Sequence, residues 1–312
     1  MNKSIKTLST ISLILSGIGV LLAVAILTFL WEPLNALLNN PEQITKATPI
    51  IPIGNMLYIL GCTVISLVLL INYRSRKPIT IEVLSIVFLS LIIPFLTYRL
   101  KVDQSLLVGH TMGRTAFVTL DVSNSLFDLP LGFANLSLAL SLITSGMRII
   151  GKIVAKKKQP IAILSIISII ISVVSFLIAI TILWNPMEYL YASSKYIIDT
   201  KPIIPFGSIL YILGCLITVI ILINSKKDKK TFTVEITSAI LLSFVLPLLA
   251  WILGQVQQIN VTAIGYSAIE IFIISNKVLT FSIGIAKLSS ALSLVVIGMR
   301  IVYKVHYKKQ IV

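Results

Sequence analysis

Eight stretches of about 20 apolar residues constrain this chain more than anything else in it. They fall near residues 9–31, 53–73, 80–99, 131–151, 161–184, 206–224, 232–254 and 282–303. A run of that length spans the roughly 30 Å hydrocarbon core of a bilayer as an α-helix, whereas core helices of water-soluble proteins are shorter. Inside lipid every backbone N–H and C=O needs an internal partner, and these runs lack strand alternation, so helices are expected. Charged residues make up 12% of the 312 positions, about half the share of an ordinary globular domain. The predicted fold class is an all-α polytopic membrane protein with eight transmembrane helices, and its first partner is the lipid bilayer.

The placement of charge predicts sidedness. A net charge of +15 would suggest nucleic acid if the basic residues formed a patch on a soluble domain. They sit instead in short clusters between apolar runs, so no nucleic-acid partner is predicted. The N-terminus, residues 74–82, 148–158, 226–235 and the end from Arg300 together hold 18 Lys/Arg against Glu82, Asp228 and Glu235. The opposite face holds 8 Lys/Arg and 8 Asp/Glu. By the positive-inside rule the basic face is cytoplasmic. The chain is then a multi-pass cell-membrane protein with cytoplasmic N- and C-termini. Lys3 and Lys6 before an apolar run also fit a secretory signal. A counterpart of that run in mid-chain argues against cleavage.

That counterpart belongs to an internal duplication. Pro49-Ile50-Ile51-Pro52-Ile53-Gly54 and Leu57-Tyr58-Ile59-Leu60-Gly61-Cys62 recur 153 residues later as Pro202-Ile203-Ile204-Pro205-Phe206-Gly207 and Leu210-Tyr211-Ile212-Leu213-Gly214-Cys215. The same offset maps Trp31, Pro33, Glu82 and Pro94 onto Trp184, Pro186, Glu235 and Pro247, and an offset of 152 maps Gly146-Met147-Arg148 onto Gly298-Met299-Arg300. Rare residues recurring in register mark a repeat. Two tandem four-helix repeats are predicted, 1–155 and 156–312. An even number of spans in each makes them parallel, related by an axis along the membrane normal.

Most of the recurring residues have structural readings. Trp31 and Trp184 suit the outer interface, and Pro33 and Pro186 suit the ends of first spans. Pro49, Pro52, Pro202 and Pro205 make an extended lead-in to each second span, while Pro94 and Pro247 should kink the third spans. Cys62 and Cys215, each after a glycine inside an apolar run, are small packing residues, with no disulfide framework indicated. Ser137/Ser141 and Ser289/Ser293 are small residues four apart, the spacing of a close-packed helix seam. That seam is read as the one between repeats. Arg114–Ser123 and Val261–Ser275, in the long outer loops, are rich in β-branched and aromatic residues and predict small β-hairpins.

Catalytic chemistry leaves no signature. There is no P-loop, zinc spacing, haem-attachment motif or nucleophile elbow, and the two histidines, His110 and His306, fall on opposite faces. No metal site or cofactor is predicted for this chain alone. The candidate functional residues are therefore ionisable groups near or inside spans, whose burial is expensive. Glu82 and Glu235 lie within a turn or two of Lys77 and Lys230, so interfacial pairing, or favourable placement near a helix N-terminus, explains them. Arg148 and Arg300 close fourth spans at the cytoplasmic surface. Lys287 lies about a turn into the eighth span, where its repeat partner is Asn135. It either snorkels outward or lines a site for an anionic ligand or quinone headgroup. Asn260-Val261-Thr262 is a candidate glycosylation sequon on the outer side.

Two functions compete. The first is a non-catalytic membrane subunit that anchors or docks an extracytoplasmic partner, in a respiratory electron-transfer complex. The second is a small-solute transporter or channel built from parallel repeats. The isoleucine- and lysine-rich composition, the size and the near-absence of histidine resemble the hydrophobic subunit that accompanies a glycosylated b-type cytochrome in thermoacidophilic archaea. That resemblance implies a role in electron transport with the haem on the partner, a cytochrome, or with a quinone. Quinone-binding anchors of the polysulfide-reductase type also have two four-helix bundles, but their site residues find no match here.

Overall fold

The computed structural model describes residues 2–38, 48–72, 80–152, 159–184, 203–225, 233–264 and 266–311. Eight of its helices are long and apolar enough to cross a membrane, and they fall where the sequence places the spans. The chain divides into two compact units, Met1–Lys152 and Ile153–Val312.

In the first unit the first span runs Asn2–Ala25, passes a π turn at Ile26–Leu30 and continues as Trp31–Leu38. The second is Ile53–Ile71. The third runs Thr80–Val87, a π turn at Phe88–Ile92, then Ile93–Thr111. A connecting helix, Gly113–Leu126, leads into the fourth span, Asp128–Lys152. The fourth span is the hub: 72% of its apolar window is buried, against 22–33% for the other three. The first span packs most extensively on it, and the second and third close the remaining sides. The outward faces of those three spans keep large apolar side chains exposed, such as Leu21, Phe29, Val64 and Phe95. In lipid such a surface carries no penalty, so burial here reports helix packing and not a water-shunning core.

The second unit also holds four spans among its described residues. Its spans are Gln159–Trp184, then Phe206–Asn224, then Thr233–Ile240 with a π turn at Leu241–Val245 and Leu246–Ile264, and last the long helix Tyr266–Ile311. Again the fourth span is the most buried, at 61%.

The β-hairpin expectation changes. Arg114–Ser123 lies in the helix Gly113–Leu126, and the described part of Val261–Ser275 lies in the helices Leu246–Ile264 and Tyr266–Ile311. Among the described residues there is no strand. β-branched enrichment records a fit to a pleated, half-buried surface, and here helical packing provides the half-buried surface instead. The first candidate span ends at Leu34, beside Pro33, while the helix itself continues past the proline to Leu38 after the π turn. The same device precedes Pro94 and Pro247. A proline cannot donate to the carbonyl one turn back, and a wider turn at that point is a recognised accommodation. Trp31, near the end of the first span, is turned inward and buried. Pro186 lies outside the described residues, as does the side chain of Trp184.

Candidate functional site

The strongest polar constellation in each unit sits where the second span ends, the third begins and the fourth ends. Arg148, near the end of the fourth span, places Nε 2.7 Å from Oε1 of Glu82, which is in the first turn of the third span. Its Nη1 donates to the Leu69 carbonyl at 2.8 Å, and Nη2 donates to the Asn72 carbonyl. These carbonyls belong to the last turn and cap of the second span, where the helix leaves acceptors without partners. One guanidinium therefore ties three helices. The arrangement is electrostatically consistent: the cation meets the negative end of one helix dipole, and the carboxylate sits at the positive end of another. Glu82 is 0% exposed and Arg148 4%.

The second unit carries the same constellation. Arg300 Nε is 3.0 Å from Glu235 Oε1, Nη1 donates to the Leu222 carbonyl, and Nη2 donates to Ser225 Oγ at 2.9 Å. Lys304 Nζ adds a second cation, 2.9 Å from Glu235 Oε2. All three charged groups are buried. This corrects the sequence reading of both arginines as surface helix ends. Lys77 and Lys230, the partners expected for the glutamates, lie outside the described residues. The pairing was legible in principle, since each glutamate and each arginine recurs, carries opposite charge and belongs to the same face. A sequence spacing of 66 residues between Glu82 and Arg148 gives no local reason to join them.

A second polar cluster lies deeper. Ser12 Oγ is 3.0 Å from Ser66 Oγ, 3.0 Å from Ser137 Oγ and 2.8 Å from Ser141 Oγ, and it donates to the Ser137 carbonyl. Ser66 also meets Ser137 and Ser141 at 3.0 Å each. In the second unit Ser168 meets Ser289 and Ser293, and Ser175 donates to the Ser282 carbonyl. The serine seam therefore joins first and fourth spans within each unit, which replaces the expectation of a seam between repeats. Oxygen separations near 3 Å fit hydroxyl–hydroxyl hydrogen bonds. They would crowd an ion placed among them. Ser9, Ser12 and Ser16 correspond by burial and bonding to Ser165, Ser168 and Ser172, three residues out of the register set by the tryptophans. The π turn of the first span lies in the longer stretch between Ala23 and Trp31. Ser12→Ala is expected to lower unfolding stability by about 1–2 kcal/mol, because three buried hydroxyls lose a shared partner. Reversible unfolding in mixed micelles checks this; an unchanged midpoint contradicts it.

At the other end, the proline-rich lead-in is held by a glutamine. Gln104 Oε1 accepts from the Ile53 N–H at 3.0 Å, and its Nε2 donates to the Ile51 carbonyl at 2.7 Å. Gln257 does the same with the Phe206 N–H and the Ile204 carbonyl. Pro52 and Pro205 are the non-helical caps, with ψ of 89° and 96°, and both are buried. Pro49 precedes the first clamp and is half-buried; Pro202 lies outside the described residues. Gly54 and Gly207 follow the clamps. There the third span passes so close that a Cβ on Gly207 would stand 2.2 Å from the Ala250 carbonyl oxygen. Asn55 Nδ2 donates to Asn124 Oδ1, and Ser208 Oγ to Asn276 Oδ1, fastening each second span to the segment before the fourth. Gln257→Ala is expected to speed amide exchange at Phe206 about tenfold or more, since one neutral hydrogen bond is lost. Exchange unchanged at Phe206 would contradict the clamp.

The remaining candidates are placed as follows. Cys62 and Cys215 are free and fully buried. Tyr58 donates to Asn135 Oδ1 at 2.6 Å. Lys287 is exposed on the fourth span of the second unit. Asn260 is exposed but helical, near the end of the third span, and not on the surface loop its sequon calls for. His110 and His306 fall on helical backbone. Among the described residues no three His, Cys, Asp or Glu side chains come together as a metal site. No protein-family model matches the chain, and no curated protein or solved structure shows significant similarity to it.

Proposed function

We propose that this chain is a non-catalytic membrane subunit, two parallel four-helix repeats long, that docks an extracytoplasmic partner in a respiratory electron-transfer complex. The observation that carries this reading is the use made of charge inside the spans. Ionisable residues at membrane depth usually line a pathway or hold a fold. Glu82 with Arg148, and Glu235 with Arg300 and Lys304, hold helix ends together, and the guanidiniums cap neighbouring backbone or a serine hydroxyl. The buried serines bond one another across helices in the same way. Such interiors suit a scaffold. The helices that extend past the third spans, Gly113–Leu126 and the first turns of Tyr266–Ile311, supply the docking surface on the outer face. Both termini are cytoplasmic in this reading, and a b-type haem resides on the partner, with quinone as the exchangeable carrier.

The test is purification of the tagged protein from its native membrane in gentle detergent, with mass spectrometry and a redox difference spectrum. Stoichiometric recovery of a haem-bearing extracytoplasmic protein is the expected result. A lone, spectrally silent protein that conducts solute flux in liposomes would replace this reading with the transporter.

A further inference from the structure

Several cations inside the described spans are paired with carboxylates, and Lys287 is in none of these pairs. Arg148, Arg300 and Lys304 are buried against glutamates, and Arg99 pairs with Asp103 at the end of the third span. Lys287 is exposed, and none of the ion pairs among the described residues includes it. It lies eight residues from Leu279, the start of its span, which is about 12 Å at 1.5 Å per residue.

Its surroundings form a notch. Phe281, Gly284 and Lys287 are all exposed and spaced three apart along the helix. A Cβ on Gly284 would meet nothing within 4 Å, so the helix surface is open one turn above the lysine. Helical side chains lean toward the N-terminus of their helix. The Lys287 stem therefore runs over Gly284 toward the Leu279 end of the span. Tyr211, the counterpart of Tyr58, is buried on the neighbouring second span.

The first unit holds the same notch without the charge. Leu129, Gly132 and Asn135 are its exposed or half-exposed counterparts, and a Cβ on Gly132 also meets nothing. There Tyr58 donates to Asn135 Oδ1 at 2.6 Å, which closes the polar edge internally. The two notches differ mainly in that one offers an ammonium where the other is neutral.

We propose that Gly284 and Lys287 form a binding site for the acidic headgroup of a membrane lipid. The phosphate sits against the Lys287 ammonium, and an acyl chain lies along the exposed apolar face beside Phe281. An ammonium facing hydrocarbon without a counter-charge is unfavourable, and the notch opens toward the end of the span where headgroups lie. Its floor is a single glycine wide, which fits a lipid chain better than a second transmembrane helix. This site is independent of the docking reading.

The test is native mass spectrometry of the full chain in detergent, titrated with phosphatidylglycerol or phosphatidylcholine. Wild-type protein is expected to retain one phosphatidylglycerol with about fivefold or greater preference, the scale of one lysine at a membrane surface. Lys287→Gln should erase the preference. Gly284→Leu, which fills the notch and keeps the lysine, should lower retention as well. Unchanged preference in Lys287→Gln overturns the site. Inorganic phosphate alone, if it raises the thermal transition of wild type but not of Lys287→Gln while lipid shows no preference, overturns the lipid assignment in favour of a free anion.

Discussion

Replacing Arg148 by methionine should lower the stability of the protein by about 3–5 kcal/mol, the cost of removing one partner of a buried ion pair. The substitution takes the guanidinium away from a carboxylate that is fully buried, and it uncaps the Leu69 and Asn72 carbonyls at the end of the second span. Glu82→Leu alone should cost less, because Arg148 keeps its two carbonyl acceptors. The double variant Glu82→Leu/Arg148→Met should recover a large part of the loss, since apolar residues of similar volume often replace a buried pair at little net cost. Reversible unfolding of all four proteins in mixed micelles closes the double-mutant cycle. Coupling near zero would show that the two groups act separately and that the pair fastens nothing.

The second large effect is expected at Gly207. Alanine there would bring a methyl to 2.2 Å from the Ala250 carbonyl oxygen and 3.1 Å from the Gly254 nitrogen. Both are backbone atoms of the neighbouring helix, so relief requires the third span to move as a body. Overpacking of a close contact costs about 1–3 kcal/mol and sometimes more, and here the displacement would also strain the Gln257 clamp three residues along the same span. Gly54→Ala should behave similarly but more mildly, with its nearest contacts at 2.7 Å. Gly17→Ala is the control: nothing lies within 4 Å of its Cβ, and alanine in mid-helix is expected to be neutral or stabilising by up to about 1 kcal/mol. Equal thermal transitions for Gly207→Ala and Gly17→Ala would contradict the close approach.

These two sites illustrate how far the amino-acid order carries. The spans were legible because lipid thickness and backbone pairing leave few alternatives, and the second and sixth spans fall within two residues of their expected limits. The recurring Pro-Ile-Ile-Pro segment was readable as a lead-in, since proline excludes helix before it. What held that lead-in was not readable: Gln104 and Gln257 lie about 50 residues away and look like ordinary polar residues of a span end. The same distance problem hides the Glu82–Arg148 pair, whose two residues lie in separate spans. Arg114–Ser123 misled because composition records a preference for half-buried surface without saying which element provides it.

The proposed docking function requires the ion pairs on the cytoplasmic side and the segments before each fourth span outside. Labelling of single cysteines with a membrane-impermeant maleimide tests it most directly, in a background carrying Cys62→Ala and Cys215→Ala. Cysteines introduced at Lys157 and Asp228 should react only when the cytoplasmic face is opened, and cysteines at Ser125 and Asn260 should react in intact cells. Lys157 and Asp228 reporting from opposite faces would contradict the eight-span parallel arrangement and, with it, the outer docking surface.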